Sequence, residues 1–209
     1  LEEVNIVNVK CEEACSFFLN TVGDDLNDFI DSIDYAEIEA AADLILKAQK
    51  KGGRVHISGI GKPGHISGYI ASLMSSTGNP AYFLHGTEAV HGSCGQLVPG
   101  DIVIFISNSG ETAEMRATVT AVKNNGCKVI GVSSNRNSWL AKESAAHLYA
   151  GIPQEGGPMG RAPRMSILAE TVVLQALSVV LQADKEVTPQ QYVKWHPGGT
   201  LGQLRENEK

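Results

Sequence analysis

From Arg54 onward the sequence alternates short apolar runs with longer helical patterns, and this rhythm constrains the fold more than any other feature. The runs are RVHISGI, AYFLH, DIVIFIS, CKVIGVS and HLYAGI. Between them lie HISGYIASLMSSTG, GTEAVHGSCGQL, ETAEMRATVTAVKNNG and SWLAKESA, which read as helical. Strands this apolar, joined by connections of helix length, belong in a parallel sheet covered on both faces. Five of them predict a three-layer, doubly wound α/β domain. The ligand of such a sheet sits beyond the carboxyl ends of the strands, near the reversal in strand order. Polar residues gather at those ends: Ser58 to His65, His85 to His91, Ser107 to Thr112, Ser133 to Asn137, and the loop GIPQEGGPMGRAPR.

Residues 3–50 read as helix. Val9, Phe17, Leu26, Ile30, Ile33, Ile38, Leu44 and Leu46 supply apolar faces, and TVGDDLND marks a break. DYAEIEAAADLILKAQKKGG has acids at its start, lysines in its last turn and Gly52-Gly53 as a stop, as the helix dipole favours. The expected organisation is a helical segment, residues 1–50, packed on a core domain, residues 51–209, as one globular unit.

The net charge is −6, and the first fifty residues carry 12 of the 23 acids against 3 of the 17 bases. A strongly basic face for nucleic acid is therefore not expected, and a mildly positive main body suits a small anion better. The most apolar stretch, Ile167 to Leu181, contains Glu170 and Gln175 and is short for a bilayer span, so it is expected to be a core helix. Cys11, Cys15, Cys94 and Cys127 form no C-x-x-C pair. They are expected to be free thiols in a reducing cytoplasm, with Cys11 and Cys15 packed in the core one turn apart. The first residues show no positively charged, apolar leader, and because the first residue is Leu1 and not Met the sequence leaves open whether one preceded it.

Gly59, Gly61 and Gly64 spell G-x-G-x-x-G between a strand and a helix, the written form of a dinucleotide fingerprint. Its usual partner, an acid closing the second strand, is missing: AYFLH ends in His85-Gly86. Pro63 also removes one N–H from the turn, and Lys62 is not followed by Ser or Thr as a Walker A loop requires. Gly59 and Gly64 are explained by close strand–helix packing alone; a lysine at the mouth of the turn is not. A stronger phosphate signal is IFISNSGETAEM, where Ser107, Ser109 and Thr112 bracket Gly110 as a strand turns into a helix. Hydroxyls and free N–H groups meet there at the positive end of a helix dipole. His85, Glu88, His91 and Cys94 recur every three residues, but on a helix that spacing drifts around the axis, so no metal site is expected.

The blocks SGIGKPGHIS, STGNPAYFLHGTEAVHG, VIFISNSGETAE and HPGGTLG, in this order, resemble the sugar isomerase (SIS) domain, and in particular that of arabinose-5-phosphate isomerases. The resemblance covers most of residues 30–204. It implies a flavodoxin-like five-stranded sheet, a sugar phosphate as the small-molecule partner, no cofactor, and a homodimer or homotetramer. Relatives of this type often carry CBS modules after HPGGxLG, where this sequence stops at Lys209, so that tandem is expected to be absent. The family's hydroxyl-rich APTTST is APRMSI here, leaving Ser166 as the hydroxyl and placing Arg164 beside it. Arg164 either replaces hydroxyl contacts with a charge-assisted fork or marks a different substrate.

An aldose–ketose isomerase needs a base that carries a proton between C1 and C2 through an enediol, and donors for the developing oxyanion. Glu155, in the glycine-flanked loop IPQEGGP, is the first candidate base, and Glu114, about one turn into the helix after the serine loop, is the second. The resemblance assigns function to both. It also implies ring opening or proton shuttling for His196, in KWHPGGTLG, and a substrate-side or intersubunit place for His91. Lys62 is expected to meet the phosphate or an enediolate oxygen. Gly61, Ser107, Ser109, Thr112, Arg164 and Ser166 complete the expected substrate contacts. The expected reaction is arabinose 5-phosphate to ribulose 5-phosphate; a sensor that binds without turnover and an isomerase of another sugar phosphate, such as a hexulose phosphate, are the rival readings.

Overall fold

The five apolar runs become β1 (Val55–Gly59), β2 (Ala81–Phe83), β3 (Ile102–Ile106), β4 (Lys128–Ser133) and β5 (Ala146–Tyr149). All pair in parallel, in the order β2-β1-β3-β4-β5. Strand order therefore reverses between β1 and β3, which opens a crevice at their carboxyl ends. The computed structural model describes residues 9–209, so residues 3–8 of the expected N-terminal helix lie outside the described residues.

Seven α-helices complete the described chain: α1 (Cys11–Asp31), α2 (Tyr35–Gln49), α3 (Lys62–Ser76), α4 (Ala113–Asn124), α5 (Trp139–Glu143), α6 (Met165–Asp184) and α7 (Pro189–Trp195). The two-residue period of β3 divides the core. Ile102, Ile104 and Ile106 face one side, packed with Ile45 of α2, Met74 of α3 and Leu174 of α6. Val103 and Phe105 face the other, packed with Met115 and Val119 of α4 and Leu140 of α5. Each such fully buried side chain contributes about 1.5–3 kcal/mol, which favours helices on both faces. The helix α6 has 20 residues, and an 18-residue stretch of it with a mean hydropathy of 1.6 is long and apolar enough to cross a membrane, but half of that stretch is buried inside the fold.

Three expectations are corrected. The sequence TVGDDLND does not break the helix: α1 runs through it to Asp31, and the break falls at Ser32 to Asp34, where the Asp34 carboxylate accepts the Ala36 N–H at 2.9 Å and starts α2. A single exposed glycine costs about 1 kcal/mol in a helix, too little to stop one supported on both sides. GTEAVHGSCGQL forms two short 3₁₀ turns, Glu88–His91 and Ser93–Gln96, because Gly92 between them adopts φ +118. Cys11 and Cys15 are exposed on α1, with their sulfurs 3.8 Å apart, and are not core thiols; all four cysteines are free.

At the amino ends of the strands a polar cluster closes the sheet. Asp101 is fully buried and accepts the Arg54 N–H at 2.8 Å, the Val98 N–H at 2.9 Å and the Arg54 guanidinium Nη2 at 2.8 Å. Its Oδ2 also lies 3.1 Å from Nε2 of buried His56. Burial alone would push the Asp101 carboxyl up; the bonds from Arg54 and Val98 outweigh it and hold the group below the usual carboxylate range.

Candidate functional site

At the opposite, carboxyl end of the sheet, β3 runs into a loop that turns back on its own hydroxyls. Ser107 Oγ accepts the Gly110 N–H at 3.3 Å and lies 3.3 Å from Thr112 Oγ1, while Ser109 Oγ accepts the Glu111 N–H at 3.2 Å. Gly110 holds φ +66, a Cβ there would collide with Ser138 Oγ, and its carbonyl accepts the Leu140 N–H at 3.0 Å. Only glycine fits such a turn. Thr112 then begins α4 without capping it through its side chain, so the first-turn N–H groups remain available to an anion.

The neighbouring β1–α3 turn contributes a second wall. Gly61 has φ +66, and Lys62-Pro63 form the first turn of α3, so the helix starts earlier than HISGYIASLMSSTG implies. Proline is well suited to that first turn. A Cβ on Gly64 would lie 2.8 Å from the Gly59 carbonyl oxygen, so the outer glycines serve strand–helix packing. Ile60 and Pro63 face the serine loop across a cavity of about 260 Å³. Ile106, Ser107, Asn108, Ser109 and Thr112 line it from β3 and its loop; Pro163, Ser166, Ile167 and Glu170 line it from α6 and the residues before it.

The start of α6 is held by a carboxylate from the preceding loop. Glu155 Oε2 accepts the Arg164 N–H at 2.7 Å and the Ser166 N–H at 3.1 Å, taking the place of a capping side chain that Arg164 does not supply. Both bonds fall on Oε2, and Glu155 stands behind the start of α6, not among the residues that line the cavity. Ser166 is buried and lines the cavity, and its Oγ has no partner. The Arg164 guanidinium rests against Gly157 and is not among the cavity-lining groups.

The remaining predicted residues are dispersed. Lys62 is exposed at the start of α3, Glu114 is exposed in the first turn of α4, and His91 is exposed at the end of a 3₁₀ turn; none lines the cavity. His196 closes α7, its Nδ1 donating to the Tyr192 carbonyl at 2.8 Å and its ring stacked on that of Tyr192 at 4.0 Å. Its neighbour Trp195 packs on Gly78, just past the far end of α3, a helix 15 residues and roughly 22 Å long. Within one copy, His196 therefore sits at the opposite end of the molecule from the cavity. His85 Nδ1 lies 3.1 Å from Thr87 Oγ1 and accepts the Glu88 N–H at 3.3 Å, anchoring its own turn.

Two cavity residues escape the sequence reading. Asn108 lies between two serines already marked as important, and its Oδ1 is buried without a partner. Glu170 is fully buried on α6, with neither carboxylate oxygen hydrogen-bonded. Burial, reinforced by the negative charge of Glu155, pushes its pKa up to about 8. The available signal was an acid inside an apolar helix, one turn beyond Ser166.

Comparison with known proteins is consistent with this geometry. Residues 48–180 match the SIS domain family. An arabinose 5-phosphate isomerase of Yersinia pestis is 42% identical over 150 residues, covering 72% of this chain and 46% of that protein. One from Escherichia coli O6:H1 is 35% identical over 170 residues, covering 81% of this chain and 51% of that protein. The chain thus spans about half the length of the curated relatives it matches. An Escherichia coli CFT073 structure solved in complex with arabinose 5-phosphate superposes with a TM-score of 0.81 at 33% identity, covering 92% of this chain and 100% of that one. With the sheet order, the serine loop and these matches in agreement, the chain belongs to the SIS domain family.

Proposed function

We propose that this protein is an aldose–ketose isomerase of sugar phosphates, converting D-arabinose 5-phosphate to D-ribulose 5-phosphate through an enediol. One observation carries the reading: a cavity at the reversal in strand order joins the Ser107–Thr112 loop to the Glu155-capped start of α6. The phosphate takes the hydroxyls of Ser107, Ser109 and Thr112 and the N–H groups of α4. Glu155 removes the C2 proton of the aldose and returns it to C1, while a hydroxyl proton passes from O2 to O1. Atoms and electrons balance within the sugar, so the reaction requires no redox cofactor. Relatives named arabinose 5-phosphate isomerase, and a neighbour solved with arabinose 5-phosphate, support this substrate.

Lys62 and Gly61 border the phosphate side, Arg164 offers a charge-assisted fork, and Glu114 and His91 act from the rim. His196 serves the cavity of another copy, since its own lies at the far end of α3. This arrangement calls for a homodimer or homotetramer, working in the cytoplasm with no nucleic-acid or membrane partner. The second reading is a sensor that binds a sugar phosphate without turnover. It is favoured by the exposure of Glu114, His91 and Lys62 outside the cavity.

Incubation with arabinose 5-phosphate in deuterated water separates the two. Ribulose 5-phosphate carrying solvent deuterium at C1 is the expected product, and Glu155→Gln should slow its formation by about 10²–10⁴-fold. Thermal stabilisation by the sugar phosphate with no product would leave the sensor. Conversion of another sugar phosphate alone would move the substrate.

A further inference from the structure

Glu170 is a carboxylic acid sealed in the wall of the ligand cavity without a partner. It is fully buried, both oxygens lack hydrogen bonds, and it lines the same space as Ser107, Asn108, Ser109, Thr112 and Ser166. Ser166 Oγ and Asn108 Oδ1, on the same lining, are also buried and unpartnered. Buried polar atoms in native proteins are almost always satisfied, so three such groups around one cavity mark a surface whose partners arrive with a ligand.

Among the described residues, no group packed against α6 neutralises this acid. From the loop before α6 the nearby charge is Glu155, of the same sign. From α3, Pro63 reaches the cavity while Lys62 and His65 are exposed. β3 and its loop present Ile106 and neutral hydroxyls and amides. On α1, Asp25 has one buried oxygen without a partner; on α2, Glu37 is occupied by Arg136 at 2.7 Å and the Tyr149 N–H at 2.8 Å. Arg164 lies against Gly157. Burial and the like charge of Glu155 both favour the neutral form, and Glu170 keeps its proton up to about pH 8.

We propose that Glu170 is a ligand-contacting residue that couples binding to a proton: neutral, it donates its O–H to the phosphate held by the Ser107–Thr112 loop, and ionised, it repels that phosphate. The inference deepens the functional reading above and rests on it. A protonated carboxyl has one donor, and a phosphate dianion offers only acceptors, so the pair forms a short charge-assisted bond. Loss of the proton leaves two anions facing each other in a site screened from water, where repulsion is strong. Ser166 Oγ, one helical turn away, adds a second donor to the same oxygen-rich ligand. The specificity that follows is for phosphorylated over unphosphorylated sugars, and it is enforced by protonation.

The test measures binding of arabinose 5-phosphate and of inorganic phosphate to the full chain between pH 6.5 and pH 9. Above pH 7 arabinose 5-phosphate is already largely dianionic, so its own titration contributes little; inorganic phosphate still titrates between pH 7 and pH 8, so its Kd is expressed per dianion. For the wild type, Kd should rise roughly tenfold from pH 7 to pH 9, because only the protonated fraction is competent. Calorimetry in buffers of different ionisation enthalpy should show proton uptake approaching one per ligand at pH 9. Glu170→Gln preserves shape and a donor; it should bind with a flat pH profile and no uptake. A wild-type Kd that stays constant to pH 9 without proton uptake overturns the inference and leaves the phosphosugar reading standing. An identical decline in Glu170→Gln also overturns it. Failure of both proteins to bind either ligand at pH 6.5 removes the phosphosugar reading, and this inference with it. If Glu170→Gln does not fold, the wild-type proton count decides alone.

Discussion

The two ends of the sheet each bury a carboxyl group, and they treat it in opposite ways. Asp101, at the amino ends of the strands, receives two backbone N–H groups, the Arg54 guanidinium and the edge of His56. Glu170, at the carboxyl ends, receives nothing. One end is closed by its own chain, and its charge is balanced internally. The other leaves donors and acceptors bare around a cavity, a loss of stability that makes sense only where something else is to be bound. Satisfaction of buried charge therefore distinguishes the end that holds the fold from the end that serves it.

Removing Asp101 should break the comparison most severely. Asp101→Ala strands the Arg54 and Val98 N–H groups and leaves the partly exposed guanidinium with the Gln96 carbonyl, so urea unfolding should show a loss of about 2–4 kcal/mol at pH 7. The pH dependence has a fixed sign. The Asp101 carboxyl lies below its unfolded value, so its contribution is present above about pH 4 and is lost as pH falls through the folded value. Wild-type stability should drop more steeply on acidification than that of the variant.

Glu170 should do the reverse. Its folded pKa, about 8, lies above the ordinary 4.5. The folded form binds the extra proton, so stability is fullest below pH 4.5 and declines as pH rises toward 8. Glu170→Gln removes that slope, and its stability relative to wild type should improve by about 3 kcal/mol between about pH 4.5 and about pH 7. Equal pH slopes for the two proteins would place Glu170 among the satisfied carboxyls with Asp101. The smallest effect is expected for Ser107→Ala, which removes one hydroxyl from the loop. Phosphate affinity should weaken by about tenfold with little change in unfolding, the signature of a group kept for a ligand.

The fold was legible because its strands are apolar on both faces: DIVIFIS fills two cores at once, and helices on both sides of a parallel sheet hide Ile104 and Phe105 together. Local rhythm misled where tertiary support decided. Gly23 looks like a breaker but lies within an unbroken α1, and GTEAVHGSCGQL looks helical but is divided at Gly92. The serine loop was readable because strand, glycine and hydroxyls adjoin in sequence. The cap that Glu155 places on α6 bridges nine residues of loop, and no periodicity encodes it. Glu170 was visible only as an acid that discouraged a membrane span; that it faces the serine loop depends on how α6 crosses the sheet. Placing His196 required knowing that Trp195 docks at Gly78.

Gly110 shapes the tempo of recognition. Its carbonyl is tied to Leu140 and its flank is filled by Ser138, so the β4–α5 connection holds the Ser107–Thr112 loop in place without a ligand. A loop pinned in this way has little freedom left to surrender, and affinity is not eroded by ordering it. If the proposed phosphosugar site is right, free and occupied forms should share one backbone at this position, with discrimination between ligands left to side-chain rotation and to protons.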